Sequence, residues 1–365
     1  MRIGIDAREL CGHSTGVGRY LGGLLQQWMV DEQARRHEFV LYAHQPLAIS
    51  LDAHRFPSRI VAGRGGTRWE QQQLLSTLAR DHVDVFFAPG YTAPLLARLP
   101  LVVAIHDVSF AAHPEWFSAR EGLRRRFISR RAAAVARAVT TLSEFSKREL
   151  IEVLGVAPEK IHIIRPGVQS PKSSLAGRTN EVRRGRLEPR VLYVGSIFNR
   201  RRVPDLVRAF AQVAQRHPEV RLDLVGDDRS FPREDIPAVV AREHQESRVF
   251  WHQYASDEAL SDLYSAAQAF VFLSEYEGLG LTPLEALTCG VPSVLLDTPI
   301  ARESCGEAAL YVQKGDIPGA AAAIEELLFS DAVRQSLLAA APAVLRRYDW
   351  PKAARETLAV LEGAA

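Results

Sequence analysis

Short apolar runs rich in β-branched residues recur along the whole chain, and most show no alternation of apolar with polar positions. In the first half they are RIGIDA, EFVLYAH, RIVAG, DVFFAP, LVVAIHDV, AVTTLS and KIHIIRPG. In the second half they are RVLYVGS, VRLDLVG, RVFWHQY, AFVFLSE, PSVLLD and AALYVQK. A strand with one face in water alternates with a period of two, so an unbroken run points to burial on both faces. Helix-period segments lie between several of the runs, among them VGRYLGGLLQQWM, WEQQQLLSTLARDH, VPDLVRAFAQVAQRH and DEALSDLYSAA. Strands alternating with helices predict α/β architecture, with parallel, doubly wound sheets covered on both faces.

The pattern breaks once. Residues 169–190 lack periodicity and carry Pro, Ser, Gly and charge, which predicts a linker. With 365 residues the chain is long enough for about two domains. The expected organisation is a first domain over 1–168, the linker, a second domain over 191–348, and a last helix over 349–365 that could pack back on the first. Two doubly wound domains facing each other would form a cleft at the carboxyl ends of their strands, where such sheets bind ligands.

Composition excludes some classes. A net charge of +2 gives no global field for nucleic acid. Cys11, Cys289 and Cys305 show neither metal-ligand spacing nor a disulfide framework, which suits a reducing cytoplasm. The start, MRIGIDAREL, breaks its apolar run at Asp6 and makes a poor signal peptide. No stretch of about 18 uncharged apolar residues predicts a spanning helix.

Five stretches could carry chemistry. EYEGLGLTPLEALTCGVP (275–292) places Glu277 and Glu285 around Gly278 and Gly280, where a buried strand gives way to a helix. Thr282 is a good N-cap and Pro283 suits the first helical position. A helix start after a glycine-bearing loop offers free N–H groups to an anion such as phosphate, while carboxylates beside it accept bonds from hydroxyls. Two alternatives stand: Thr282-x-x-Glu285 fits a capping box, and two glutamates could be a glycosidase acid–base pair. In VGSIFNRRRVPDLVRAF (194–210), Arg200, Arg201 and Arg202 follow a strand and precede a helix, placed to clamp a diphosphate or simply to form a solvated basic loop. STGVGRYLGGLL (14–25) puts Gly16 and Gly18 at a strand-to-helix turn, a loose match to a dinucleotide fingerprint. LVVAIHDVSFAAHPEWF (101–117) ends a buried strand with His106 and Asp107, expected to point into the cleft. REGLRRRFISRRAAAVAR (120–137) holds seven arginines and one glutamate, with Leu123, Phe127, Ile128, Ala134 and Val135 as an apolar stripe. It is either a solvated helix or one drawn to an anionic membrane surface or a lipid-linked acceptor.

Taken in order, TGVGRY, HDVSFAAHPEWF, TTLSEFSKREL, IIRPGV, VGSIFNRRR, SDEALSDLYSAA and EYEGLGLTPLEALTCGVPSV resemble glycosyltransferase family 4, retaining nucleotide-sugar enzymes of the GT-B fold. The likeness spans nearly the whole chain and is most specific at E-G-L-G-L-x-x-L-E-A, the family's pair of glutamates eight residues apart. The HDVSF–PEWF region is most similar to bacterial members that make mannosyl or rhamnosyl linkages in surface polysaccharides.

The resemblance implies roles. Glu285 would accept bonds from ribose hydroxyls, and Glu277 would face the donor sugar. Gly278, Leu279 and Gly280 would let backbone approach that sugar, and the N–H groups of Leu281 and Thr282 would meet the diphosphate. Arg200 and Arg201 would neutralise the departing diphosphate, and Ser196 and Tyr254 fall in the donor pocket. Gly16 would pass close to the diphosphate, and His106 would lie beside the sugar. The donor implied is GDP- or UDP-linked, with no other cofactor and no metal. The acceptor would be a glycan or lipid-linked molecule, and the location cytoplasmic or at the inner membrane face. Where the family usually has Lys and Asn this chain has Arg201 and Arg202, and Gln253 stands where glycine is common. Two other readings are a sugar-nucleotide 2-epimerase and a binding protein of the same fold without catalysis.

Overall fold

The computed structural model describes residues 1–12, 16–169 and 188–365. Most of the expected linker, Asn180 included, lies outside the described residues. The chain divides into two compact units, one of Met1–Pro114, Ala119–Gly167 and Tyr348–Ala365, the other of Glu115–Ser118 and Val168–Arg347.

All thirteen apolar runs contain strands. In the first unit these are β1 (Arg2–Asp6), β2 (Glu38–Ala43), β3 (Ser58–Ile60), β4 (Val85–Ala88), β5 (Leu101–Ala104), β6 (Ala138–Thr141) and β7 (Ile161–Ile163). They form one sheet in the order β3-β2-β1-β4-β5-β6-β7, every pairing parallel. The second unit holds β8 (Arg190–Val194), β9 (Arg221–Val225), β10 (Val249–His252), β11 (Ala269–Phe272), β12 (Ser293–Leu296) and β13 (Ala309–Val312). Their order is β10-β9-β8-β11-β12-β13, again wholly parallel. Both are Rossmann-like sheets. In each, the winding direction reverses at one place: between β1 and β4, and between β8 and β11. A crevice opens at such a reversal, because the connections leave in opposite directions.

The central strands are buried along their length, which is why they read as unbroken apolar runs. The C-terminal helix Trp350–Ala364 belongs to the first unit, where the Trp28 indole donates to the Ala354 carbonyl at 3.0 Å. Glycines admit its first residue: a Cβ on Gly23 or Gly167 would stand 2.5 or 2.3 Å from the Trp350 ring.

Two expectations change. The WEQQQLLSTLARDH segment is not a uniform α-helix; Trp69–Leu74 forms a wider π turn before Leu75–Asp81. The extra residue lets adjacent Trp69 and Glu70 both turn inward, the indole onto the Val61 carbonyl at 2.8 Å and the carboxylate onto Arg8 and Thr92. The arginine-rich segment forms the helix Ala119–Val135, but its buried face is Gly122, Ile128, Ser129, Ala132 and Ala133. Of the expected stripe only Ile128 is buried; Leu123 and Phe127 are 70% and 63% exposed, and Ala134 and Val135 also face outward. Small residues line the side packed on the unit because large ones would hold the helix off the sheet.

Candidate active site

In the second unit the loops after β8 and β11 meet at the reversal point. β8 runs into Gly195, whose φ of +145° belongs to the glycine region; a Cβ there would lie 2.5 Å from the Arg201 guanidinium. The chain then passes Ser196, whose hydroxyl donates to Asp227 at 2.6 Å, and enters a short turn at Asn199–Arg201.

Arg201 folds back from this turn into a bidentate pair with Glu277. Its Nε donates to Glu277 Oε1 at 2.8 Å, its Nη2 to Oε2 at 3.3 Å, and its Nη1 to the Ser196 carbonyl at 2.9 Å. The two side chains are 14% and 15% exposed. The guanidinium also lies over the rings of Phe272 and Phe198, 5.0 and 5.5 Å from their centres. Ser274 adds a hydroxyl donor to Glu277 Oε1 at 2.9 Å. Burial alone would raise the Glu277 carboxyl. The charges of Arg201 and Arg200 and the bonds from Arg201 and Ser274 outweigh it and hold the group below its usual range. An ionised, paired carboxylate is a hydroxyl acceptor and a poor proton donor, so Glu277 is not suited to be the acid of an acid–base pair.

The other two arginines differ. Arg200 rests over Phe198 at 4.3 Å, and its buried Nε has no hydrogen-bond partner among the described residues. Arg202 is turned to Asp205 and Glu275, at 2.6 and 2.8 Å, rather than towards Arg201 and Glu277. Two carboxylates therefore face this one guanidinium.

The helix Leu281–Thr288 starts two residues earlier than expected. Its N-cap is Gly280, in the left-handed region at φ +81°, with no side-chain cap bond. Thr282 is therefore inside the helix and not its cap, and the capping-box alternative for Thr282 and Glu285 falls with it. A left-handed cap residue turns the glycine loop sharply into the helix, a conformation open to glycine and costly for threonine. The Thr282 hydroxyl is buried without a partner among the described residues. Gly278 and Leu279 complete the loop, and Leu279 is buried. A cavity of about 20 Å³ is bordered by Ser274, Glu277, Leu279, Gly280 and Pro283. Tyr254, two residues past β10, is 72% exposed.

The first unit carries the other expected residues. Gly16 opens the helix Gly16–Val30, with nothing within 4 Å of where a Cβ would be. His106 lies two residues beyond β5 and is buried. Its Nε2 is 2.8 Å from the Pro89 carbonyl, so that nitrogen carries the proton and Nδ1 is the acceptor. Burial lowers its pKa, against the pull of the Pro89 bond and Asp107, and favours the neutral ring. Tyr91 packs edge-on to that ring at 5.5 Å, has φ +70°, and donates to Asp107 at 2.8 Å.

A second charged cluster, not among the five stretches above, lies in the first unit. At the end of β1, Asp6 pairs with Arg8 at 2.7 Å, and Arg8 pairs with buried Glu70, which accepts from the Thr92 hydroxyl at 2.6 Å. Burial pushes the Asp6 carboxyl up to about 6 against the attraction of Arg8. The charged residues of DAREL beside an apolar run were the available signal. Among the described residues no group of three or more His, Cys, Asp or Glu side chains is arranged to hold a metal ion. No helix among them is long and apolar enough to cross a membrane.

Two family models match, one described as Glycosyltransferase Family 4 over residues 15–170 and one as Glycosyl transferases group 1 over 180–343. The chain is 27% identical over 290 residues to the O-antigen chain mannosyltransferase B of Escherichia coli, covering 76% of this chain and 74% of that protein. It is 27% identical over 313 residues to a GDP-mannose:cellobiosyl-diphosphopolyprenol alpha-mannosyltransferase of Xanthomonas oryzae pv. oryzae, covering 82% and 79%. Its fold matches that of a sucrose-phosphate synthase from Thermosynechococcus elongatus with a TM-score of 0.78, at 18% identity over 99% of this chain and 98% of that one.

Proposed function

The chain belongs to glycosyltransferase family 4, and on that premise we propose that it transfers a hexose, mannose first among the candidates, from a nucleoside-diphosphate donor to a glycan or lipid-linked acceptor in surface polysaccharide synthesis. The observation that carries this reading is the Arg201–Glu277 pair beside a glycine-capped helix start at the reversal point of the second sheet. Sugar and diphosphate need opposite partners, and the two loops provide both. The mannosyltransferases among the relatives favour mannose, and the GDP-mannose enzyme favours a GDP-linked donor over a UDP-linked one.

In this reading the second unit is the donor unit and the first the acceptor-side unit. Arg200, the remaining N–H groups of Arg201 and the N–H groups of Leu281 and Thr282 receive the diphosphate. Glu277 accepts from a sugar hydroxyl, with the backbone of Gly278, Leu279 and Gly280 beside it. Glu285 accepts from the ribose, and Ser196 and Tyr254 border the nucleotide. Gly16 and His106 are assigned to the donor by the family resemblance, His106 through Nδ1. The bond from the anomeric carbon to the diphosphate oxygen breaks, and its electron pair stays on that oxygen. Cations and helix N–H groups stabilise the charge as it forms. The acceptor oxygen bonds to the anomeric carbon on the face the diphosphate leaves, and its proton passes to the departing phosphate, so configuration is retained without an enzyme nucleophile or a metal.

Thermal unfolding with GDP, UDP, dTDP and ADP tests the donor. A nucleotide at 100 times its Kd should add about 2.7 kcal/mol to the stability of the fold. The matching sugar nucleotide should then support transfer with retained anomeric configuration, read by NMR. No stabilisation by any of the four would sink the reading.

The helix Ala119–Val135 supports a partner proposal. Exposed Leu123 and Phe127 lie four residues apart, on one side of the helix, among Arg124, Arg126, Arg130 and Arg131. We propose that it touches an anionic membrane at the cytoplasmic face, each arginine adding about 1 kcal/mol near the surface. Anionic vesicles should pull the protein down at low salt, and neutral ones should not. Equal behaviour with both would end this proposal.

A further inference from the structure

We infer that Arg202 and Glu275 form a positioning pair that sets the arginine loop against the glutamate loop and thereby aims Arg200 and Glu277. The inference rests on the donor reading above, because only that reading requires those two residues to act on one ligand.

Arg202 separates the turn Asn199–Arg201 from the helix Val203–Arg216 and takes a left-handed backbone, φ +49° and ψ +40°. Arginine rarely adopts this region, whereas asparagine enters it readily. Its guanidinium joins two carboxylates, Asp205 Oδ2 at 2.6 Å in the first turn of its own helix and Glu275 Oε1 at 2.8 Å in the other loop. Glu275 is held from a second side by Lys314 Nζ, 2.6 Å from Oε2. Its amide donates to the Arg200 carbonyl at 2.8 Å, joining the same two loops through the main chain.

These contacts divide the work of the arginine triplet. Arg201 belongs to Glu277, Arg202 belongs to Glu275, and Arg200 keeps open hydrogen-bonding capacity beside Phe198. Glu275 and Glu277 stand two residues apart on one loop and Arg201 and Arg202 are adjacent on the other, so two ion pairs cross the seam. Each loop follows a different strand, β8 or β11. A slip between them would change how Arg200 and Glu277 stand to one donor, and a single pair would leave the loops free to pivot about it.

The test uses Arg202→Asn, Glu275→Gln and the double variant in the full chain, with Glu277→Gln as control. Asn suits the left-handed backbone, so Arg202→Asn removes the tether without backbone strain. The expected result is a donor KM raised about tenfold in each single variant, equivalent to about 1.4 kcal/mol. The kcat should stay within about threefold and the melting temperature close to that of the parent. The double variant should be no worse than either single one, since the second change removes a partner already lost. Parental KM in Arg202→Asn, or single effects that multiply in the double variant, would overturn the pair. Full activity in Glu277→Gln would overturn the donor reading, and the inference with it. An inactive Glu277→Gln with unaffected pair variants overturns the inference alone.

Discussion

Glu277→Gln should lower kcat by about 10³-fold while the KM for the donor stays level or falls. Gln keeps the size of the side chain and can still accept from Ser274, which now bonds Glu277 Oε1 at 2.9 Å. It removes the negative charge that neutralises Arg201 and that, in the proposed function, faces the sugar. A transition state with oxocarbenium character loses more from that change than the neutral ground-state sugar does. Freed of its counter-charge, Arg201 should attract the diphosphate at least as strongly as before. Steady-state kinetics with the donor varied decides it. A kcat equal to the parent's would remove Glu277 from the chemistry.

Arg201→Ala should cost both activity and stability. It leaves the Glu277 carboxylate, 15% exposed, without its bidentate partner. Removing one member of a buried pair costs about 3–5 kcal/mol, largely because the remaining charge is uncompensated. The melting temperature of the second unit should fall by about 10 °C. Replacing both Arg201 and Glu277 by Ala should recover part of that loss, since no buried charge is then left unpaired. Activity should not recover in the double variant. Simple addition of the two stability losses would show that the residues do not act as a pair.

The pH dependence has a definite sign. Glu277 is held below its ordinary 4.5, so its folded pKa is depressed. The stability it contributes is therefore complete above about 4.5 and is lost as pH falls below that value. Arg201→Ala removes the largest of the influences that lower it, leaving Arg200 and Ser274, and the acid limb of the stability curve should be shallower than in the parent protein.

Much of the fold was legible because its signals are local. A parallel strand buried on both faces is an unbroken apolar run wherever it stands in the sheet, and every such run proved to hold a strand. The glutamates, glycines and arginines were legible as residue types suited to hydroxyls and phosphates. Their allegiances were not. The partner of Arg201 lies 76 residues away in the chain. Nothing near Arg202 in sequence announces that it turns to Glu275. Thr282 and Pro283 looked like a helix start because local preference favours them there. The backbone of the glycine loop moved the boundary to Gly280. On the arginine-rich helix the expected stripe followed residue size, whereas close packing selected Gly122, Ser129, Ala132 and Ala133 for the buried side.

The amino-acid sequence by itself determined the α/β class, the thirteen strand positions and the family, because each depends on short-range pattern or on motifs read in order. Only the tertiary structure decided that β8 lies beside β11 although β9 and β10 intervene in the chain. That order brings the arginine and glutamate loops together, and it turns two charged motifs into the paired site of Arg201 with Glu277 and Arg202 with Glu275. The physical reason is that strand order and ion pairing depend on which distant segments become neighbours, and on how burial strengthens the charges they bring.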